Sequence, residues 1–60
     1  MKEYLFIREE GFYTITLESP IKDKTDDQFA IDNALSNPGT LQVEDFEGNT
    51  IWKKNYSKEI

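Results

Sequence analysis

The sequence predicts an α+β fold in which one helix packs on one face of a mostly antiparallel four-stranded sheet, in the order ββαββ. Three observations predict this fold. Residues 25–39 carry both a helix start signal and a helix stop signal. Two segments rich in aromatic and β-branched residues precede this stretch, and two shorter apolar segments follow it, each pair separated by a turn that contains glycine. A chain of 60 residues accommodates one small domain, here residues 1–60, with a core of marginal size.

The first hairpin is predicted from residues 4–7 and 12–17, which flank a turn at residues 9–11. A three-residue loop with Gly11 in the left-handed conformation fits this turn. Such a loop places Arg8 opposite Phe12. We therefore expect one sheet face to carry Leu5, Ile7, Tyr13, Ile15 and Leu17, and the other to carry Tyr4, Phe6, Arg8, Phe12, Thr14 and Thr16.

The single helix is predicted to begin at Thr25. Thr25 and Gln28 have the spacing of a capping box, in which each side chain satisfies a free backbone N–H group at the helix start. Two acidic residues follow Thr25 in the first turn, where the helix dipole favours negative charge. Pro38 disfavours helical geometry at Asn37, and Gly39 allows the turn that follows, so we expect the helix to end there.

The predicted helix has a short apolar stripe that faces the sheet. Its members share the i, i+1, i+4, i+5 spacing: Ala30, Ile31, Ala34 and Leu35. Two of them are alanines, so the helix can lie close to the sheet. Phe29 falls on the opposite side of this stripe. This position is explained by a rotated helix, by cover from the preceding connector, or by contact with a partner.

The second hairpin is predicted from residues 41–43 and 51–54, with a turn within residues 47–50. Two loops fit this turn, and they differ by one residue in register. A two-residue turn at Gly48-Asn49 places Trp52 on the sheet face of Val43, whereas a loop over residues 47–49 places Ile51 there. The sequence leaves both open, and it leaves the strand order open. Beyond the fourth strand, Tyr56 and Ile60 indicate a tail that packs loosely or extends the strand.

Apolar residues exceed what one helix can cover, because both faces of the predicted sheet carry them. A patch of aromatic side chains on an uncovered sheet face is typical of an interface. The sequence therefore predicts a non-enzymatic interaction or regulatory protein that self-associates, as a dimer, through this face. The residues expected at the contact are Tyr4, Phe6, Phe12 and Trp52.

The charge distribution indicates two alternative functions. The net charge is −5, and residues 23–47 hold seven acidic residues and one lysine, a net charge of −6. Such a segment could imitate nucleic-acid phosphates and inhibit a basic DNA- or RNA-binding protein, as in a phage-type inhibitor. The residues expected to contact that partner are Asp26, Asp27, Asp32, Glu44, Asp45 and Glu47. The second alternative is a weak RNA or nucleotide binder that stacks bases on its aromatics, against which the net charge argues.

The sequence gives no basis for predicting an enzyme, a cofactor or a metal site. It contains no cysteine and no histidine, which excludes thiolate and imidazole chemistry. Its adjacent acid pairs each have a structural explanation at a turn, a helix start or a strand end. Residues 45–49 resemble a calcium loop only faintly, because Val43 stands where the pattern requires an aspartate.

The predicted location is the cytoplasm of a bacterium, or of a cell infected by a phage. The chain begins at Met1 without a basic and then apolar leader, so no secretory signal is expected. No apolar run approaches the roughly 20 residues that span a bilayer.

Overall fold

The computed structural model describes residues 1–54 and contains four antiparallel strands in one open sheet with one helix. The elements are β1 (Lys2–Arg8), β2 (Gly11–Leu17), α1 (Asp26–Ser36), β3 (Thr40–Asp45) and β4 (Thr50–Lys53). The strand order in the sheet is β2-β1-β3-β4, so β2 and β4 form the two edges. The α+β prediction and the ββαββ order are confirmed. The expectations for Tyr56 and Ile60 lie outside the described residues.

The predicted register of the first hairpin is wrong by one residue. Glu9 and Glu10 form a two-residue loop, so Arg8 pairs with Gly11 and Phe6 pairs with Tyr13. Alternation could not separate the two registers, because both give two apolar faces. The observed register places Tyr13, Ile15 and Leu17 beside the Tyr4 and Phe6 rings that pack on α1, where the predicted register would place Phe12 and two threonines.

The correct register divides the hairpin differently between the two sheet faces. The face that packs on α1, here called the helix side, carries Tyr4, Phe6, Tyr13, Ile15 and Leu17. The opposite face, here called the open face, carries Leu5, Ile7, Phe12, Thr14 and Thr16.

The predicted helix start is confirmed. Thr25 adopts an extended conformation, and its side-chain oxygen accepts a hydrogen bond from the backbone N–H of Gln28 at 3.0 Å. The side chain of Gln28 does not reach back as in a full capping box but donates to Asp32 at 3.3 Å. Asp26 in the first turn accepts a 2.8 Å hydrogen bond from the backbone N–H of Ser19, which fixes the β2–α1 connector to the helix start.

The helix ends at Ser36, as the Asn37-Pro38-Gly39 sequence predicts. Asn37 leaves helical geometry with φ −123° and ψ 87°, as expected for a residue before proline, where the helical conformation is disfavoured. Gly39 then adopts φ +112°, which is strained for residues that have a Cβ atom. A Cβ atom there would also lie 2.8 Å from Nη2 of Arg8. Glycine is therefore required at this turn for conformation and for space.

The core lies between α1 and the two central strands. Its fully buried members are Tyr4, Phe6, Ala30, Ala34 and Val43, with Leu17, Ile51 and Trp52 packed at its margin. Of the predicted helix stripe, the two alanines are buried, Ile31 is half-buried and Leu35 is 64% exposed. The helix is thus rotated relative to the predicted stripe, and this rotation brings Phe29 to a half-buried position.

The second hairpin places Trp52 opposite Val43, so Trp52 faces the helix side. Neither of the two expected loops is present. The strands join through residues 46–49, and the register shifts between Val43 and Glu44. Asp45 organises this loop: its carboxylate accepts 2.9 Å hydrogen bonds from the backbone N–H groups of Glu47 and Asn49. Trp52 therefore lies on the sheet face that the two-residue turn predicted for it, although a longer loop joins the two strands.

Residues 1–54 contain no helix long and apolar enough to cross a membrane.

Candidate functional site

The most exposed strand of the sheet is β2. Six of its seven residues are exposed, and only Leu17 is half-buried. β2 lies at the edge of the sheet, and within residues 1–54 it pairs on one side only, with β1. The outer row of its backbone groups therefore faces solvent. Exposed edges of this kind are templates for pairing with another strand.

The helix side of β2 is apolar and only partly covered by the helix. Helix α1 packs most closely on β3 and β4, at the other end of the sheet. The side chains of Tyr13 and Ile15 remain 40% and 37% exposed. Tyr13 stacks on the buried ring of Phe6, with 5.4 Å between ring centroids and an angle of 20° between ring planes. The apolar core thus continues to the edge of the sheet, where it meets solvent.

The open face of the sheet also presents apolar side chains near β2. Phe12 is 72% exposed, and its neighbours Leu5 and Ile7 are half-buried. This face is mixed in character, because Glu3 and Glu44 flank Leu5 on it. An interface across the whole open face would therefore include acidic residues as well as apolar ones.

The opposite edge of the sheet differs from β2. Strand β4 has four residues, carries the exposed Lys53, and pairs with β3 through a register shift. Short length, lysine and irregular pairing are features that protect an edge against further strand addition. β2 has seven residues, no charge, no proline and an unbroken register. The two edges are thus unequal, and β2 is the unprotected one.

The structure corrects the set of residues expected at a self-association contact. Tyr4 and Phe6 are 0% and 2% exposed, because α1 covers the face on which they lie. Trp52 is half-buried at the margin of the same core. Among the four predicted residues, only Phe12 is both exposed and located on the uncovered face. The expectation that the other three form an uncovered aromatic face is wrong, because α1 packs on the sheet face that carries them.

Sequence reasoning missed Tyr13 and Ile15, which it assigned to the covered face. The signal that could have indicated them is charge. Of the four described strands, β2 alone has no acidic or basic residue. In a chain with this many charges, an uncharged strand of seven residues is either fully buried or kept free of charge for an interface.

Three of the six acids proposed to contact a basic partner instead converge on the N-terminal end of β1. Lys2 Nζ donates to Asp27 at 3.0 Å and lies 3.3 Å from the carboxylate of Asp45. The hydroxyl of Tyr4 donates to Asp27 at 2.5 Å. The N-terminal amine lies 3.4 Å from the carboxylate of Asp26. This cluster ties β1, α1 and the end of β3 together.

The pKa values in this cluster are shifted in the directions that these contacts require. Hydrogen bonds from Tyr4 and then Lys2 hold the pKa of the Asp27 carboxyl below its usual value. The hydrogen bonds from Asn49 lower the pKa of Asp45 strongly. Burial, followed by the hydrogen bond to Asp27, raises the pKa of the Tyr4 phenol. At neutral pH the carboxyls are ionised and the phenol keeps its proton, so the groups act as a structural ion cluster.

Two of the other three proposed acids also have internal partners. Asp32 forms an ion pair with Lys24 and accepts from Gln28. Glu44 accepts a hydrogen bond from Gln42. Asp32 and Glu44 therefore have partners within the chain, whereas Glu47 is exposed in the β3–β4 loop.

One groove lies near the end of the helix, away from β2. It has a volume of about 320 Å³, and its lining includes Leu35, Pro38, Trp52 and Lys54. The lining is mostly apolar, with a single cationic side chain. Within residues 1–54 there is also no group of three acidic side chains close enough to hold a metal ion.

Comparison of the chain with protein-family models, with curated proteins and with solved structures gives no match.

Proposed function

We propose that this chain is a small non-enzymatic interaction protein that self-associates through β2 and the sheet surface around it. The observation that carries the proposal is the exposure of β2 on both faces and at its outer edge. Within residues 1–54, the most exposed aromatic residue is Phe12, which lies on this strand. A domain of 60 residues has a core of marginal size, and a contact between copies would add buried apolar area.

The arrangement of charged groups supports an interaction role over a catalytic one. The carboxyls with shifted pKa values are Glu10, Asp26, Asp27, Asp32 and Asp45. Each pKa is lowered by hydrogen bonds or ion pairs with neighbouring groups of the chain. A catalytic acid or base needs instead a pKa near the working pH and a position in a cleft.

Light scattering over a dilution series tests the proposal with two phenylalanine variants. Phe12→Ser removes an exposed ring from β2, and Phe46→Ser removes one of similar exposure, 61%, from the β3–β4 loop. Loss of the Phe12 ring should cost about 1 kcal/mol of apolar contact in each of two copies. Together these losses correspond to about a thirtyfold weaker dimer.

The wild-type chain and Phe46→Ser should dimerise with similar dissociation constants, and Phe12→Ser should remain monomeric to higher concentration. A wild-type chain that is monomeric at every concentration would remove the proposal. Equal weakening of the dimer by both variants would indicate that the contact lies outside β2.

A further inference from the structure

We infer that two copies of this chain pair β2 with β2, antiparallel, about a two-fold axis that passes beside Thr14. The product is one continuous eight-stranded sheet with both helices on the same face. This inference rests on the proposed self-association and specifies its geometry. The occupant of the β2 edge is therefore a second copy of the chain, held by backbone hydrogen bonds and by matched side chains.

The hydrogen-bonding pattern of the hairpin decides which groups are free at the edge. The two-residue loop makes Arg8 and Gly11 the first and fourth residues of a β-turn, so they form a hydrogen-bonded pair. Hydrogen-bonded and non-hydrogen-bonded pairs alternate along an antiparallel ladder. The backbone N–H and C=O groups of Phe12, Thr14 and Thr16 therefore point away from β1. Three residues with six polar groups are available to a second strand.

Symmetry restricts the registers that two such strands can adopt. A two-fold axis perpendicular to the sheet keeps each side chain on its own face, so a residue on the axis faces its own copy. With Thr14 on the axis, Tyr13 lies opposite Ile15 of the second copy, and Phe12 lies opposite Thr16 of the second copy. Aromatic rings paired with β-branched residues are favourable cross-strand neighbours. The helix-side apolar layer of one copy then continues into that of the other.

The neighbouring registers match less well. An axis beside Ile15 places Phe12 opposite Glu18, and an axis beside Tyr13 places Ile15 opposite Gly11, which has no side chain to pack. The Thr14 register does place Glu10 opposite Glu18 at the two ends of the paired strands. Both residues are exposed, and the Arg8 guanidinium lies 3.4 Å from the Glu10 carboxylate, which offsets the repulsion.

Stacking of the two open faces is the competing arrangement. It would cover Phe12 and Leu5, but it would also bury Glu3 and Glu44, which lie beside Leu5 on that face. Lys53 lies opposite Gln42 on this same face, so stacking would remove acidic and basic side chains from water together, and burying charged groups is costly even where they pair. Edge pairing avoids this, because β2 has no charged side chain.

Single cysteine variants test the register, because the natural chain contains no cysteine. Residues opposite one another in a hydrogen-bonded antiparallel pair have Cα atoms about 5.5 Å apart, a distance that a disulfide spans. Thr14→Cys should therefore cross-link with its own copy under mild oxidation. Tyr13→Cys and Ile15→Cys would each cross-link fastest if the two-fold axis passed beside Tyr13 or beside Ile15, respectively. Thr50→Cys is the matched control, an exposed threonine on the opposite edge strand.

Thr14→Cys should cross-link on the order of tenfold or more faster than Thr50→Cys at micromolar concentration, because pairing raises the local thiol concentration. In urea the two rates should become equal. Fastest cross-linking of Tyr13→Cys, Ile15→Cys or Thr50→Cys would overturn the proposed axis. Comparable native rates for all four variants, with a dimer still seen by light scattering, would overturn edge pairing but leave self-association standing.

A second pair of variants keeps the inference testable if a cysteine disturbs the fold. Thr14→Lys would bring two lysines together on the axis, whereas Thr50→Lys adds the same charge to the other edge. Thr14→Lys should abolish the dimer and Thr50→Lys should preserve it, both with native circular dichroism. A dimer that survives Thr14→Lys would contradict the pairing, and a wild-type monomer would contradict self-association itself.

Discussion

The strongest stability prediction compares two phenylalanines that the hairpin register assigns to opposite environments. Phe6 is 2% exposed between α1 and the sheet, whereas Phe12 is 72% exposed on the open face. Replacing a fully buried phenylalanine by alanine costs about 3–5 kcal/mol, including the cavity that remains. A domain of 60 residues has a total stability of about 3–9 kcal/mol at typical values per residue. Phe6→Ala should therefore leave much of the chain unfolded.

The corresponding change at Phe12 should be small. About a quarter of this residue is buried, so alanine forfeits about a quarter of the roughly 1.5–3 kcal/mol that full burial contributes. The expected loss is about 0.4–0.8 kcal/mol, with no cavity term because no atoms enclose the ring. The two substitutions should thus differ in effect by about fivefold or more.

Urea denaturation followed by circular dichroism measures both losses. It should be done at the lowest concentration of the dilution series, because a dimer would add concentration-dependent stability. Phe6→Leu provides a milder variant if Phe6→Ala is too unstable to measure. Similar losses at Phe6 and Phe12 would refute the assigned register. A larger loss at Phe12 would also refute it, because Phe12 would then be the more deeply buried of the two rings.

Three other predictions test the helix start, the acidic cluster and the charge argument. Thr25→Ala should lower the free energy of unfolding by about 1 kcal/mol, because it removes the helix cap. Thermal melting should be compared with that of the control Ser36→Ala. Equal midpoints for the two variants would mean that Thr25 is not the cap. The folded-state pKa of Asp27 is lowered, so its stabilisation is present above about pH 5 and is lost as the pH falls below the unfolded value of about 3.9. Asp27→Asn should therefore flatten the acid side of the stability profile, and exposed Asp23→Asn should not; identical profiles would contradict this role. Labelled single-stranded RNA should show no saturable binding at moderate salt, because the net charge of −5 repels phosphate; tight binding would favour the RNA-binding alternative.

The helix could be predicted from the sequence because its signals are local. Thr25 lies three residues from the N–H group that it caps, and Pro38 acts on the residue before it. The first hairpin register could not be predicted in this way. Both registers leave apolar residues on both faces. The choice depends on which β2 residues extend the sheet face that packs on a helix more than twenty residues away from β1.

The candidate site was predicted only in part for the same reason. Phe12 could be recognised as an aromatic residue beside the turn. The exposure of Tyr13 and Ile15 depends instead on how much of the sheet α1 covers. The contacts of the cluster around Lys2 join residues that are 23 or more positions apart, and spacing gives no sign of them. The uncharged composition of β2 is visible in the sequence, but its meaning requires the strand order that places β2 at an edge.

Backbone amide exchange of the wild-type chain tests edge pairing through β2 most directly. The amides of Phe12, Thr14 and Thr16 should exchange rapidly at concentrations where light scattering gives the 7.0 kDa mass of one chain. They should become protected as the mass doubles, and their protection should rise more than that of Tyr13 and Ile15, which bond to β1 in both states. Protection of these three amides that does not change while the dimer forms, or new protection on β4 instead, would contradict the account.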